Sequence, residues 1–268
     1  MKFCISFVLA ALISTGLRAQ TDSKQEMVVP LSEPGKPCKV SVSTLWGSIK
    51  VTTYEGKDVV VEVESDKKHE NSSAGGGGMK RIGGGGAEVT AEENANSVTV
   101  DGGQSHVSLI TVKVPRSITE LKVEAVNNGY ITVSNVIGQL EVNNVNGGIH
   151  LDGISGSVVA NTVNGDVIVG FNTVDPHAAM AFSTLNGKVD VSFPADLKAN
   201  VKLQAEQGDV YSDFDVDIDK GPHKVEKSTE DHMYRITIDD WVYGKINGGG
   251  PEIMMKTTNG SVYVRKGK

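Results

Sequence analysis

The residues best equipped for chemistry lie in "SDFDVDIDKG", positions 212 to 221. Asp213, Asp215, Asp217 and Asp219 alternate there with Phe214, Val216 and Ile218. Successive side chains of an extended strand leave on opposite faces, so the four carboxylates would share one face. Such a row offers the oxygen donors that calcium takes, without the glycine and ligand spacing of a calcium-binding hand. The expectation is a solvated acidic face that discourages pairing at a sheet edge, with calcium uptake left open. His69, His106, His150, His177, His223 and His232 are scattered without zinc-ligand spacing. No nucleophile elbow, zinc-protease helix or kinase signature occurs. The glycine-rich run at 69–86, "HENSSAGGGGMKRIGGGG", reads as a loop. It lacks the Gly-Lys-Ser/Thr ending of a phosphate loop, because Lys80 is followed by Arg81. No catalytic, cofactor-binding or metal-binding residue is expected, and the chain reads as a non-enzyme. The two tryptophans, Trp46 and Trp241, read as packing residues or caps rather than halves of a sugar platform.

These side chains hang on a repeat. "VNNGYITV", "NVNGGIHL" and "NTVNGDVIV" place Asn128-Gly129, Asn146-Gly147 and Asn164-Gly165 at steps of 18 residues. "STLNGKVDV" continues with Asn186-Gly187, "AEQGDVYS" with Gly208, and "TTNGSVYV" with Asn259-Gly260. Gly138 and Gly156 fall at half-steps, and Gly47 and Gly56 form a similar pair near the N-terminus. After each main glycine every second residue is apolar, as in Ile131 and Val133, Ile149 and Leu151, Val167 and Val169, Val189 and Val191, and Val262 and Val264. Alternation of period two in β-branched residues predicts short strands with one buried face. Asn-Gly predicts a tight turn between them, since glycine accepts positive φ and asparagine tolerates it.

The same pattern fits a meander of hairpins closed by Asn-Gly. It fits better an all-β solenoid, or flattened β-helix, of two-strand coils of about 18–22 residues, because turn and apolar positions recur in phase. Burying four apolar side chains does not offset the entropy of ordering one whole coil, so coils must stack to be stable. Asn128, Asn146, Asn164, Asn186 and Asn259 would then form a ladder along one corner, with Gln207 as one rung. Thr132, His150, Ile168, Asp190, Tyr211 and Tyr263 would line one outer face.

At the N-terminus, Lys2 precedes an apolar run from Phe3 to Ile13 and then "STGLRAQ". This predicts a signal peptide over 1–19, too short to span a bilayer comfortably. A single β-solenoid domain over 27–268 follows, carrying the loop at 69–86 and a hairpin-like insertion at 221–250. That insertion is expected to pair "YRITI" with a return through Val242 to Ile246. Cys4 lies inside the signal, which leaves Cys38 alone and no internal disulfide. Without Lys2 and Arg18 the chain keeps 24 basic residues against 33 acidic ones, a net charge of −9. With no basic run, nucleic acid is not an expected partner. No apolar stretch of spanning length follows the signal.

The segments "VSVSTLWGSIKVTTYEGKDVVVEV", "NNVNGGIHLDGISGSVVANTVNGDVIV", "STLNGKVDVSFPADLKANVKL", "INGGGPEI" and "TTNGSVYVRKG" resemble the bacterial putative-adhesin family of β-strand-repeat proteins, otherwise a domain of unknown function. The double glycine cluster is similar to the form found in Bacteroidota. The resemblance implies a β-solenoid, export and an adhesin role, and it carries no catalytic residues. The expected function is an exported, non-enzymatic binding module of the periplasm or cell surface, with a glycan or envelope protein as partner. A periplasmic scaffold or sensor component is the alternative, and a carbohydrate-active β-helix the remoter one.

Overall fold

A computed structural model describes residues 24–65, 89–104, 107–219, 225–230, 233–238 and 241–267. Residues 1–19, the expected signal peptide, and the glycine-rich run at 69–86 lie outside the described residues, as do His69, His106, His223 and His232. The described chain is all-β: 22 strands and no helix. Twenty strands form one nearly closed, barrel-like sheet.

The sheet is two ladders joined by one long strand, Ile149–Asn164, whose halves pair in different ladders. The first ladder runs through Ser97–Asp101, Cys38–Trp46, Ile118–Asn127, Ile137–Asn144, residues 155–164, Met180–Asn186, Glu252–Asn259 and Ala199–Gln207. The second runs through Val107–Pro115, Ser48–Tyr54, Ile131–Ser134, residues 149–152, Val167–Val174, Val189–Phe193, Val262–Lys266 and Val210–Ser212. Every one of these neighbours is parallel, so successive repeats do not form the hairpin meander. A hairpin reverses the chain, whereas here each strand is followed by a partner in the other ladder.

Antiparallel strands cover three of the four ladder ends. Thr90–Asn94 covers one end of the first ladder, and Val242–Ile246 with Val216–Ile218 covers the other. Val59–Ser65 and Lys24–Val29 cover the second ladder at its first end. The segment after Gly56 therefore runs antiparallel and does not open another parallel repeat. Among the described residues Val210–Ser212 ends the second ladder with no strand beyond it, and an unpaired strand edge invites association.

Chain order and spatial order differ at both ends. The pair 38–54 lies between 97–115 and 118–134, and the C-terminal pair 252–266 lies between 180–193 and 199–212. The insertion also departs from expectation. "YRITI" lies in Met233–Ile238, which pairs antiparallel with Val225–Glu230 as a separate two-stranded sheet, and Val242–Ile246 joins the main sheet instead.

Alternation dictates the core. Ile49, Ile131, Ile149, Val167, Val189 and Val262 stack in register, as do Val51, Val133, Leu151, Val169, Val191 and Val264, and all are buried. The opposite ladder supplies Leu121, Leu140 and Val158, then Phe182, Met255 and Leu203. Phe171 and Phe193 stack at 5.3 Å, and Phe182 meets both edge-on at 6.3 Å. Cys38 is buried and free, and burial raises its thiol pKa.

Candidate functional site

Two features are built by the register: a corner of glycine, asparagine and threonine, and an outer strip on the second ladder. At the corner, each glycine presses on the one before it. A Cβ on Gly129 would lie 1.8 Å from the Gly47 carbonyl oxygen, and one on Gly147 would lie 1.9 Å from that of Gly129. Gly165, Gly187, Gly260 and Gly208 continue the column, each against the backbone of its neighbour. Gly165, Gly187 and Gly260 also have φ of +148°, +147° and +153°. Gly129, Gly147 and Gly208 do not take positive φ; there the requirement for glycine is close approach alone. Gly138 and Gly156, paired with each other, hold φ of +144° and +131° on the opposite side of the repeat.

Beside the glycines, asparagine amides form a chain. Asn146 Nδ2 donates to Asn127 Oδ1 at 3.2 Å, Asn164 to Asn146 at 2.9 Å, Asn186 to Asn164 at 2.7 Å, and Asn259 to Asn186 at 2.7 Å. Gln207 pairs in register with Asn259. Asn128, the expected first rung, is outside this chain. It takes φ of +60° and is exposed, and Asn127 occupies the rung. The doubled asparagine adds one residue to this turn, and the extra residue is expelled in the left-handed conformation that asparagine tolerates.

A buried partner of the glycines escaped the sequence reading. Thr162 Oγ1 donates to the Gly147 carbonyl, Thr184 to Gly165 and Thr257 to Gly187, each at 2.8 Å. Asn144 Nδ2 serves Gly129 at 2.9 Å. All four side chains are buried, and each satisfies the carbonyl of the preceding unit, which would otherwise be stranded in the core. The signal was present as Thr-x-Asn-Gly at 162–165, 184–187 and 257–260.

The outer strip holds Lys50, Thr132, His150, Ile168, Asp190, Tyr263 and Tyr211 in one register row. At its C-terminal end the side chains interlock. Tyr211 and Tyr263 stack with centroids 5.1 Å apart and planes 12° apart. The Arg265 guanidinium lies 4.9 Å from the Tyr263 centroid and holds Asp190 with two bonds, Nε–Oδ1 2.6 Å and Nη2–Oδ2 3.1 Å. Lys188 Nζ adds a third contact at 3.3 Å. Asp190 is only 8% exposed. Its burial pushes the carboxyl pKa up, but the hydrogen bonds and charges of Arg265 and Lys188 outweigh this and hold it below the usual carboxylate range. Asp209 accepts the Tyr211 hydroxyl at 3.1 Å and raises the Tyr211 pKa. Tyr211 remains half exposed. The arrangement is a stacked aromatic and charged platform in which Tyr263 is sandwiched between Tyr211 and Arg265, suited to contact with a ring at Tyr211 and bonding to hydroxyls or carboxylates.

The acidic run is not one strand. Val210–Ser212 pairs in the second ladder, the chain bends at 213–215, and Val216–Ile218 pairs in the first. Burial of Phe214 breaks the run, and its ring sits 5.1 Å from Lys266 Nζ. Asp213 and Asp215 therefore lie in the bend and only Asp217 of the four lies in a strand, so the expected common face does not form. Among the described residues no group of three or more His, Cys, Asp or Glu could hold a metal ion. Trp241 carries Lys202 Nζ 4.5 Å from its ring centroid. Among the described residues no helix is long and apolar enough to cross a membrane.

Parallel strands in one nearly closed, barrel-like sheet define the class of protein as all-β. The chain belongs to the Toastrack DUF4097 family, whose model matches residues 14–240. A comparison with curated proteins finds no match. Among solved structures, the chain is similar to a putative cell adhesion protein from Clostridium sporogenes, at 11% identity and a TM-score of 0.47, over 92% of this chain and all of that one.

Proposed function

We propose that the chain is an exported, non-enzymatic β-solenoid whose Asn-Gly corners set a rigid, flat recognition surface. The partner is a surface or envelope glycan or protein, in the manner of an adhesin. The observation that carries this reading is the platform of Tyr211, Tyr263, Arg265 and Asp190. Its rings and charges come from three units and are held in place by each other, so little side-chain entropy is lost on binding. The "MKFCISFVLAALISTGLRAQ" leader supports export to the periplasm or cell surface. The test is a glycan and envelope-protein binding screen with the intact chain, repeated with Tyr211→Ala/Tyr263→Ala. A ligand lost on the double substitution, with unfolding unchanged, supports the platform; equal binding by the variant refutes it.

A periplasmic scaffold is the second reading. The antiparallel strands at three of the four ladder ends favour it, since they limit further stacking and suit a part of fixed length within an assembly.

A further inference from the structure

Six Asn-Gly pairs lie in the described chain, at Asn128, Asn146, Asn164, Asn186, Asn247 and Asn259. Asn-Gly is the dipeptide most open to self-cleavage of its side-chain amide, because glycine leaves the following nitrogen unshielded. That nitrogen attacks Cγ, its proton leaves with the departing amide nitrogen as ammonia, and a five-membered succinimide closes. Water then opens either carbonyl, leaving aspartate or, with the main chain rerouted through the side chain, isoaspartate. No oxidant or cofactor enters. The reaction needs a free glycine nitrogen and a side chain able to swing toward it.

The corner withholds both at most positions. The Gly165 and Gly187 nitrogens donate to the Asn186 and Asn259 carbonyls at 2.8 and 2.9 Å. The Asn164 and Asn186 amides each donate to one neighbour and accept from another. Three hydrogen bonds therefore tie down each of these two sites. Asn146 and Asn259 are each held by two, the latter through Gly260 N to the Gln207 carbonyl at 3.3 Å. Asn247 donates to the Leu197 carbonyl at 2.7 Å. Asn128 and Asn247 are both exposed, left-handed and outside the ladder, but whereas the Asn247 amide is held, among the described residues neither the Asn128 amide nor the Gly129 nitrogen has a hydrogen-bond partner.

We propose that Asn128 is a spontaneous deamidation site of the folded protein, and that the asparagine ladder protects Asn146, Asn164, Asn186 and Asn259. Each hydrogen bond that must open slows the reaction about fivefold. Relative to Asn128, the expected rates are roughly 25-fold lower at Asn146 and Asn259 and roughly 100-fold lower at Asn164 and Asn186. Conversion places a carboxylate two residues before Tyr130, which is 69% exposed, so the modification changes the charge of the outer surface beside the strip.

The test is to age the purified chain at mildly alkaline pH, folded and in urea, and to map peptides by mass spectrometry. Isoaspartate is detected independently by enzymatic methylation. The expected result is conversion at Asn128 well ahead of the four ladder sites in the folded chain, with the spread collapsing in urea and the early isoaspartate signal absent from Asn128→Ser. Ladder sites reacting as fast as Asn128 in the folded chain, or an intact Asn128, would overturn the proposal.

Discussion

Substituting Gly165 with alanine probes the glycine column at its centre. The new Cβ would sit 2.5 Å from the Gly147 carbonyl carbon and 2.6 Å from both its oxygen and the Gly148 nitrogen. Ordinary contact begins near 3.4 Å, so adjacent units must part by nearly 1 Å, against a normal strand spacing of about 4.8 Å. The bonds that cross the opened interface, Thr162 Oγ1 to the Gly147 carbonyl at 2.8 Å and Asn164 Nδ2 to Asn146 Oδ1 at 2.9 Å, do not survive that shift. Each contributes about 1 kcal/mol. Holding alanine at a φ of +148° adds about 1–2 kcal/mol. The expected loss is about 3–4 kcal/mol, and more for Gly165→Val. Gly170→Ala is the internal control: its backbone is not left-handed, and the nearest atom to a new Cβ is an Asp152 carboxylate oxygen at 3.3 Å. Urea unfolding followed by circular dichroism should show a large fall in midpoint for Gly165→Ala and a change under about 0.5 kcal/mol for Gly170→Ala. Equal stability of the two variants would refute the account of the column.

Thr257→Val should lose about 1–3 kcal/mol, because the Gly187 carbonyl is left without its buried donor, while Thr257→Ser should retain most of the stability; thermal unfolding distinguishes them. Asp190 has a folded pKa below its unfolded one. Its contribution is therefore complete above about pH 4 and is lost as pH falls through the folded value. Asp190→Asn should remove that acid-side loss, read as a flatter stability profile below about pH 4. Deleting 251–268 should abolish cooperative unfolding, since it empties a slot between two other units, whereas deleting 24–29 strips only an end strand; calorimetry of both truncations checks the contrast.

Much of the register was legible in the sequence, because period-two alternation and glycine recurrence count residues along a strand. Gly47, Gly129, Gly147, Gly165, Gly187, Gly260 and Gly208 lie in one column of close contacts. The same counting chose Asn128 over Asn127, because it ran back from the glycine and did not see that the doubled asparagine holds a bulged residue. The threonine column was visible as Thr-x-Asn-Gly. Threonine in a strand reads as an ordinary β-former, so the pattern by itself announces no buried donor. Unit order was not legible: the rungs of 180–193 match those of 199–212 and 252–266 almost equally, and only three-dimensional closure selects between them. The Asp190 cluster joins residues 75 apart through that same choice, so no local pattern announces it. The acidic run misled for a related reason. Burying Phe214 at the end of the sheet outweighs continuing a regular strand.

The most direct measurement is protease shaving of intact cells that carry the chain, with a lysed control and immunodetection. The account of an exposed binding module predicts digestion before lysis. Protection until lysis would contradict the adhesin reading and leave the scaffold within the envelope.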